Sequence, residues 1–441
     1  MAKKTKKSST TEDVDLDLKV GSSEFFDELI KDTEFKLCNE NSLMTSRPKT
    51  STPLSVLNCI FGEGIPLGVQ MEVSGLPAGG KSTFAYGMMG KFQQKYKENG
   101  VAVILDIEDS LDETRLKQFG IDTNRVLRLP SISLEKAFEN MFKMFNKIIA
   151  IKEKTKQDIN LFIIYDSLDA GGTDKQYEQI DNGGSAMSFG GGMMEKPRLL
   201  KQNTAAVTRF LEQVNACVCY INQVSTKGIG TYITTIESGG GFGKNHNMHL
   251  MLQFGAAKDD KIKEGDVEYT VGTKSYIKIT KNKTGPKYNS IPCYIDVRKL
   301  GIIDEVKSFM LYMMECKYIQ QGGGWYKLTK AIDELNNYFP GMLLIDLLTA
   351  LDKNYRENDL IETVRKNKDL YNLLQIYLIE KISDIYPANS LNTNSYRQKL
   401  IDDCSYFNTK KIPVRQLEEE DLVDMTDKLI IDDEDSEGED E

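Results

Sequence analysis

Residues 69–89 read VQMEVSGLPAGGKSTFAYGMM, and three parts of that stretch decide the fold. VQMEVSG is a short, mostly apolar run of the kind that forms a strand buried on both faces of a sheet. Gly75-Leu76-Pro77-Ala78-Gly79-Gly80-Lys81-Ser82 fits the pattern GxxxxGK[ST], and Lys81 opens a helical stretch that runs on through Thr83. A strand before and a helix after are the context that this turn needs: the glycines let backbone N–H groups converge on phosphate oxygens, and the helix directs its positive end at them. The stretch therefore predicts a nucleoside triphosphate site on an α/β sheet.

The same alternation continues downstream. VAVILDIE (101–108), LFIIYDS (161–167) and ACVCYIN (216–222) are near-unbroken apolar runs, separated by helical stretches at 81–99, 133–154 and 197–215. This is βαβ order, and it predicts a mostly parallel central sheet. MHLMLQFG, SYIKITKNK and IPCYIDVR, between 248 and 298, read as an antiparallel extension of that sheet. Residues 1–21 are polar and read as a flexible arm, and 22–58 as a short helix with a linker. In that helix Ser22 or Ser23 is the cap and Phe25, Phe26, Leu29 and Ile30 share one face. Residues 59–300 form the core, 301–416 a smaller, mainly helical domain, and 417–441 an acidic tail.

Composition narrows the function. In 441 residues, 40% hydrophobic and 28% charged content is ordinary for a soluble fold. No stretch reaches the length of apolar sequence that a membrane span needs, and the lysine-rich start lacks the apolar centre of a signal peptide, so a cytoplasmic protein without membrane partners is expected. Seven scattered cysteines without a CxxC pair read as reduced core thiols. His246 and His249 stand three apart but have no cysteine nearby, and they read as ordinary residues rather than zinc ligands. The net charge of −10 is carried by the tail. Residues 417–441 hold 14 of the 66 acids and one of the 56 bases, which leaves 55 bases against 52 acids, or +3, for the rest. Such a body is compatible with nucleic acid.

Chemistry can be assigned to the strand ends. Lys81 is placed to bridge the β and γ phosphates and the Ser82 hydroxyl to ligate Mg²⁺. Asp166, at the end of LFIIYD, is the acid that holds the magnesium shell opposite Ser82. Glu108 ends the neighbouring run, where a carboxylate can orient the attacking water. Asp106 and Asp109 compete for that role, and strand alternation puts Asp106 and Glu108 on one face, so periodicity does not separate them. Gln223 closes the fourth run with both a donor and an acceptor to sense a γ phosphate.

Beyond Asp166 lies a glycine-rich segment at 171–196, and beyond Gln223 a second at 224–245. Both leave carboxyl ends of sheet strands, where open α/β sheets bind ligands. Their glycines, lysines and Met or Tyr side chains suit a flexible phosphate backbone and its bases. Together with SGGGFG, INQV, FIIYDSLDA, KITKNKTGP and the phosphate loop, they make residues 48–330 resemble the RecA-type homologous recombinases, with the phage versions of the UvsX type as the nearest likeness.

That resemblance implies a P-loop, RecA-like core and an ATPase that forms a helical filament on single-stranded DNA, finds homology in a duplex and exchanges strands. It implies ATP and Mg²⁺ as cofactors, single- and double-stranded DNA as partners, and assistance from single-strand-binding and mediator proteins. It selects Glu108 as the catalytic carboxylate and Gln223 as the γ-phosphate sensor. Lys281 and Lys283 become the pair that reaches ATP across a subunit interface, and Arg115 the residue against the adenine. Within the two segments it directs attention to Met193, Met194, Lys196 and Arg198, and to Lys227, Ile229, Gly230, Tyr232, Gly240 and Gly241, as DNA-contacting positions. Met193 or Met194, and Ile229 or Tyr232, are the candidates for wedges between bases. The helix before the core would pack on a neighbouring subunit, the helical end would bind duplex and the acidic tail would restrain access to it. A ring-shaped helicase on the same core and a regulatory paralogue are the alternatives.

Overall fold

Alternating buried strands and amphipathic helices set the architecture of the chain, described here from a computed structural model. The structure describes residues 47–130, 133–181, 195–229, 232–239, 241–283, 285, 290–299, 301–339 and 351–408, with single positions at 22, 26, 27 and 31. The chain divides into two units, residues 1–47 and 48–441. In the first, Phe26 and Asp27 are helical and the Phe26 N–H donates to the Ser22 carbonyl at 3.2 Å.

The second unit opens with a small antiparallel pair, β1 (Lys49–Thr50) and β2 (Ile65–Pro66), around a helix at Ser55–Phe61. The main sheet then takes β3 (Val69–Gly75), β4 (Gly100–Asp106), β5 (Val126–Pro130), β6 (Asn160–Asp166), β7 (Ala216–Ile229), β8 (Tyr232–Ser238), β9 (Leu250–Phe254), β10 (Lys258–Glu264), β11 (Val267–Asn282), β12 (Ile291–Asp296) and β13 (Ile302–Ile303). Its order is β13-β12-β11-β9-β3-β7-β6-β4-β5. The six strands from β9 to β5 run parallel, and β11, β12 and β13 are antiparallel.

The expectation of an antiparallel extension thus holds for two of its three strands. β9 instead joins the parallel set, with Met71 opposite Leu250 and Gly75 opposite Phe254. Chain between His246 and Leu250 returns to the amino end of the sheet, which lets β9 start alongside β3 rather than reverse on it.

Helices cover both faces because their apolar spacing matches 3.6 residues per turn. The helix Leu134–Thr155, capped by Ser133, buries Leu134, Ala137, Phe138, Met141, Phe145 and Ile148. These side chains join Tyr165, Tyr220, Leu200 and Val207 in one core layer with β4, β6, β7 and the helix Glu195–Leu211. Each of the Leu, Ile, Val, Met and Phe side chains contributes about 1.5–3 kcal/mol on burial. The helix Lys81–Tyr96 buries Phe84, Met88, Met89 and Phe92.

β3 is buried at all seven positions although Gln70, Glu72 and Ser74 are polar. For Gln70 and Glu72 their partners explain this. Gln70 Nε2 donates to the Thr204 carbonyl at 2.9 Å and Gln70 Oε1 accepts from the Tyr220 hydroxyl at 2.9 Å. Glu72 forms an ion pair with Lys244 in which neither side chain is exposed.

The helix Glu305–Glu315 follows the sheet, then a hairpin, β14 (Gln320–Gly322) and β15 (Trp325–Lys327), and helices at Thr329–Tyr338, Glu357–Lys366, Lys368–Ile385, Ser390–Asp402 and Ser405–Asn408. Two lateral amine and amide groups fasten these late helices to the early Ser55–Phe61 helix. Lys49 Nζ on β1 donates to the Phe61 and Gly62 carbonyls at 3.0 and 2.9 Å and to the Asn392 carbonyl at 3.4 Å, and Asn389 Nδ2 donates to the Ile60 carbonyl at 3.1 Å.

One segment departs from its expected form. The glycine-rich stretch after Gln223, read as an irregular loop over 224–245, is an antiparallel ribbon in which Val224 pairs Ser238 and Ile229 pairs Tyr232. Its Val, Thr, Ile and Tyr content has strong strand preference, and this outweighs the glycines. A short 3₁₀ turn, Phe242–His246, follows it.

Candidate nucleotide and nucleic-acid site

The phosphate loop sits where β3 gives way to its helix, flanked by the carboxyl ends of β7 and β9. Gly75 lies opposite Gln223 on one side and Phe254 on the other. A methyl group at Gly75 would lie 2.5 Å from the Phe254 carbonyl oxygen, so glycine is required by close approach. Gly80 caps the helix at φ 101°, a conformation that other residues avoid. Leu76, Pro77 and Gly79 complete the turn, with Ala78 at φ 59°.

Lys81 folds back on this loop, donating to the Gly75 and Leu76 carbonyls at 3.0 and 2.8 Å. Burial lowers its pKa, against the opposing charges of Asp166 and Glu108. The ammonium is thus held on the carbonyl side of the cradle, next to the amides that would take phosphate.

Asp166 ends β6 and is buried. Ser82 Oγ donates to its Oδ2 at 3.3 Å, and the Tyr86 hydroxyl donates to the same oxygen at 3.4 Å. Burial and then the charge of Glu108 raise the Asp166 pKa to about 6. A small hydroxyl and a desolvated carboxylate meeting across a phosphate cradle fit Mg²⁺, which takes one or two protein oxygens and completes its shell with phosphate and water.

The competing acids at the next strand end are separated by their partners. β4 stops at Asp106, so alternation does not extend to Glu108. Asp106 Oδ2 accepts from Arg128 Nε at 3.0 Å, and its two oxygens also take the Ser110 and Leu111 amides at 3.2 Å. Asp109, in a turn at φ 49°, pairs with the same guanidinium. Glu108 is exposed, and its Oε1 accepts from the buried Ser167 hydroxyl at 2.6 Å. Among the described residues, Glu108 is therefore the one of the three acids with no ion pair to a cation.

Arg115 stands beside Thr83. Its Nη2 donates to Thr83 Oγ1 at 3.1 Å and to the Gly301 carbonyl at 3.4 Å, and its guanidinium lies 5.2 Å from the Phe119 ring centre. A planar cation held this way offers a flat face next to the phosphate loop.

Lys281 and Lys283 lie elsewhere. Asn282 pairs Leu250, which pairs Met71, four residues before Gly75 along β3. At roughly 3.3 Å per residue, this places them about 13 Å towards the amino end of the sheet, away from their own chain's phosphate loop. Lys281 Nζ donates to the Asn245 and His246 carbonyls at 2.5 and 3.2 Å, and Lys283 Nζ to the His246 carbonyl at 3.5 Å.

Of the expected DNA contacts, Met193, Met194, Gly230 and Gly240 lie outside the described residues. Lys196 is turned inward, its Nζ donating to the Asp169 carbonyl at 2.6 Å, whereas Arg198 on the same helix is exposed. Lys227, Ile229 and Tyr232 lie on the ribbon, where Ile229 and Tyr232 are register partners. Gly241, at φ 75°, precedes the 3₁₀ turn. His249 is not available to a metal, since its Nδ1 accepts from the Gln70 amide at 3.2 Å. Among the described residues no cluster of three His, Cys, Asp or Glu side chains could hold a metal, and no helix is long and apolar enough to cross a membrane.

Sequence reasoning missed Ser167, Tyr86, Arg128 and the Glu72–Lys244 pair. Ser167 follows Asp166 directly, at the end of an apolar run that itself marks a strand end; the others depend on contacts between distant segments.

Comparison with known proteins agrees with this geometry. A family model described as the RecA N-terminal domain matches residues 30–299. The chain is 24% identical over 298 residues to Protein RecA of Clostridioides difficile strain 630, covering 66% of this chain and 78% of that protein. It is 26% identical over 287 residues to Protein RecA of Malacoplasma penetrans strain HF-2, covering 64% and 79%. Protein RecA of Borreliella afzelii strain PKo matches over 305 residues at 26% identity, covering 67% and 75%.

Proposed function

We propose, from the premise that this chain belongs to the RecA family, that it is an ATP-dependent recombinase that polymerises on single-stranded DNA, hydrolyses ATP when DNA is bound and exchanges strands with a homologous duplex. The observation that carries this reading is the separation of Lys281 and Lys283 from their own phosphate loop by the depth of the sheet. Two adjacent cations without a phosphate of their own suit the triphosphate of a second copy, so the site would be completed only in an assembly.

Within each site the residues have distinct tasks. Lys81 exchanges the Gly75 and Leu76 carbonyls for β and γ phosphate oxygens, which the loop amides also hold. Ser82 and Asp166 would hold Mg²⁺, which supplies electrostatic stabilisation of the phosphoryl oxygens when bound. Glu108 orients the attacking water and accepts its proton. Arg115 stacks on the base. Gln223 lies beside Gly75 in the ladder and at the root of the ribbon, which supports a role in passing γ-phosphate state to Lys227, Ile229 and Tyr232.

The two segments leaving β6 and β7 would line a shared DNA path, with Arg198 exposed for phosphate contact. Binding of ATP between copies would order them, and hydrolysis would release DNA. The helical end, residues 301–416, would contact duplex and the tail from 417 would compete for it. Origin in a phage, with action in host cytoplasm alongside single-strand-binding and mediator proteins, belongs to the same reading.

Electron microscopy of the protein with single-stranded DNA and ATP tests it. Helical filaments that fail to form without ATP are expected. Closed rings that unwind a forked duplex would overturn it in favour of a helicase.

A further inference from the structure

The geometry points to Ser167 as a positioning residue that fixes Glu108 and ties its placement to the roots of both glycine-rich segments. The inference rests on the recombinase reading above and deepens it, by naming how DNA occupancy reaches the catalytic carboxylate.

Glu108 is exposed, and an exposed glutamate has several rotamers to lose before it can orient a water. Its described hydrogen-bond partner is Ser167, a residue 1% exposed whose hydroxyl donates to Oε1 at 2.6 Å. A serine hydroxyl has one proton to give. That proton is committed to Glu108, while the Ser167 oxygen accepts from the Ala170 N–H at 3.4 Å. The hydroxyl is thus aimed by the turn that follows it.

That turn is where the two segments are rooted. The Leu168 N–H donates to the Ile221 carbonyl on β7 at 3.0 Å, and the Gly172 carbonyl accepts from the Leu134 N–H at 2.9 Å. Between these anchors, the Asp169 carbonyl receives the Lys196 ammonium at 2.6 Å, from the far end of the first segment. Gly239, at the far end of the second, approaches the Asp169 side chain so closely that a methyl group there would lie 2.8 Å from Oδ1. Asn222 Nδ2 holds the Gly239 carbonyl at 2.9 Å. Both segments therefore return to a point two residues from Ser167. A change in either on DNA binding displaces Asp169 and with it the hydroxyl that orients Glu108.

The test is steady-state ATP hydrolysis by the full chain, with and without a single-stranded oligonucleotide. Ser167→Ala is expected to lower DNA-stimulated kcat about tenfold while KM for ATP, oligonucleotide affinity and the thermal midpoint stay close to wild type. Ser167→Thr, which keeps the hydroxyl, restores the rate. Gly239→Ala does not touch Glu108 but crowds Asp169, and it reduces stimulation in the same sense. Unchanged stimulation in Ser167→Ala, or a loss that tracks a lowered thermal midpoint and is not restored by threonine, overturns the inference. Unchanged stimulation in Gly239→Ala overturns its coupling to the segments. If wild type itself fails to hydrolyse ATP on DNA, the recombinase reading falls first; if wild type is active and Ser167→Ala equals it, only this inference falls.

Discussion

The two ends of the parallel sheet hold their lysines in opposite settings. At the carboxyl end Lys81 lies near Asp166 and Glu108, on carbonyls of a loop built for phosphate. At the amino end Lys281 and Lys283 rest on the carbonyls of Asn245 and His246, and among the described residues neither meets a carboxylate. Burial, and then the charge of Lys283, lowers the pKa of Lys281. A lysine among acids belongs to a site that is nearly complete. On the proposed reading, two neighbouring lysines with no acid among the described residues form half of one, and an anion arriving from outside would relieve their repulsion.

The strongest way to break this comparison is to cut what joins the ends. Glu72 on β3 and Lys244, in the turn on which Lys281 rests, form a pair with both side chains fully buried. Lys244→Met leaves a buried carboxylate uncompensated, and a loss of about 3–5 kcal/mol is expected in urea unfolding. The double variant Glu72→Leu, Lys244→Met should recover most of that stability; hydrolysis equal to wild type in that variant would mean that the pair has no part in linking the two ends.

Next in size is Lys81→Ala, for which hydrolysis should fall by about a hundredfold or more with little change in stability. The double variant Lys281→Ala, Lys283→Ala should fall by roughly tenfold or more while a single copy still binds ATP. Mixing it with Lys81→Ala sharpens the contrast, because a mixed interface contains one intact loop and one intact lysine pair. Phosphate release should partly recover on mixing. Absence of any recovery would mean that each site is complete within one chain, and the division between the two ends would fail.

Much of the carboxyl end was legible because its chemistry is local in sequence. Gly75 to Thr83 form one turn, and the strand and helix around it are written in adjacent residues. Asp106 and Glu108 could not be told apart, since the decision lies in Arg128 on another strand and in the point where β4 stops. Glu72 interrupts an apolar run, but nothing local in the sequence gives its partner, which is 172 residues away. The ribbon after Gln223 was hidden for a different reason: glycine content suggested a loop, whereas strand preference of Val, Thr, Ile and Tyr governs the backbone. The position of Lys281 and Lys283 needed the sheet register, which depends on β9 being parallel to β3.

The smallest expected effect separates the two ends by pH. Asp304 caps the helix Glu305–Glu315 near the carboxyl end, and its two oxygens accept from Arg365 Nη1 and Nη2 at 3.0 and 2.8 Å. Burial alone would raise its pKa, but the Arg365 hydrogen bonds, the Lys307 amide and nearby charges outweigh that and lower it below the usual 3.8. An acid with a lowered folded pKa stabilises the fold above its unfolded value, and that contribution is lost as pH falls through the folded value. Asp304→Asn keeps a cap but weakens the pair, so it should cost about 1 kcal/mol at neutral pH. The gap between wild type and variant in urea unfolding should then close as pH drops below 3.8. Lys281 and Lys283 lean on carbonyls, which do not titrate, so any stability difference of their double variant should show no such acid limb. An acid limb in the lysine variant would reveal a carboxylate partner at the amino end, and the two ends would then be alike.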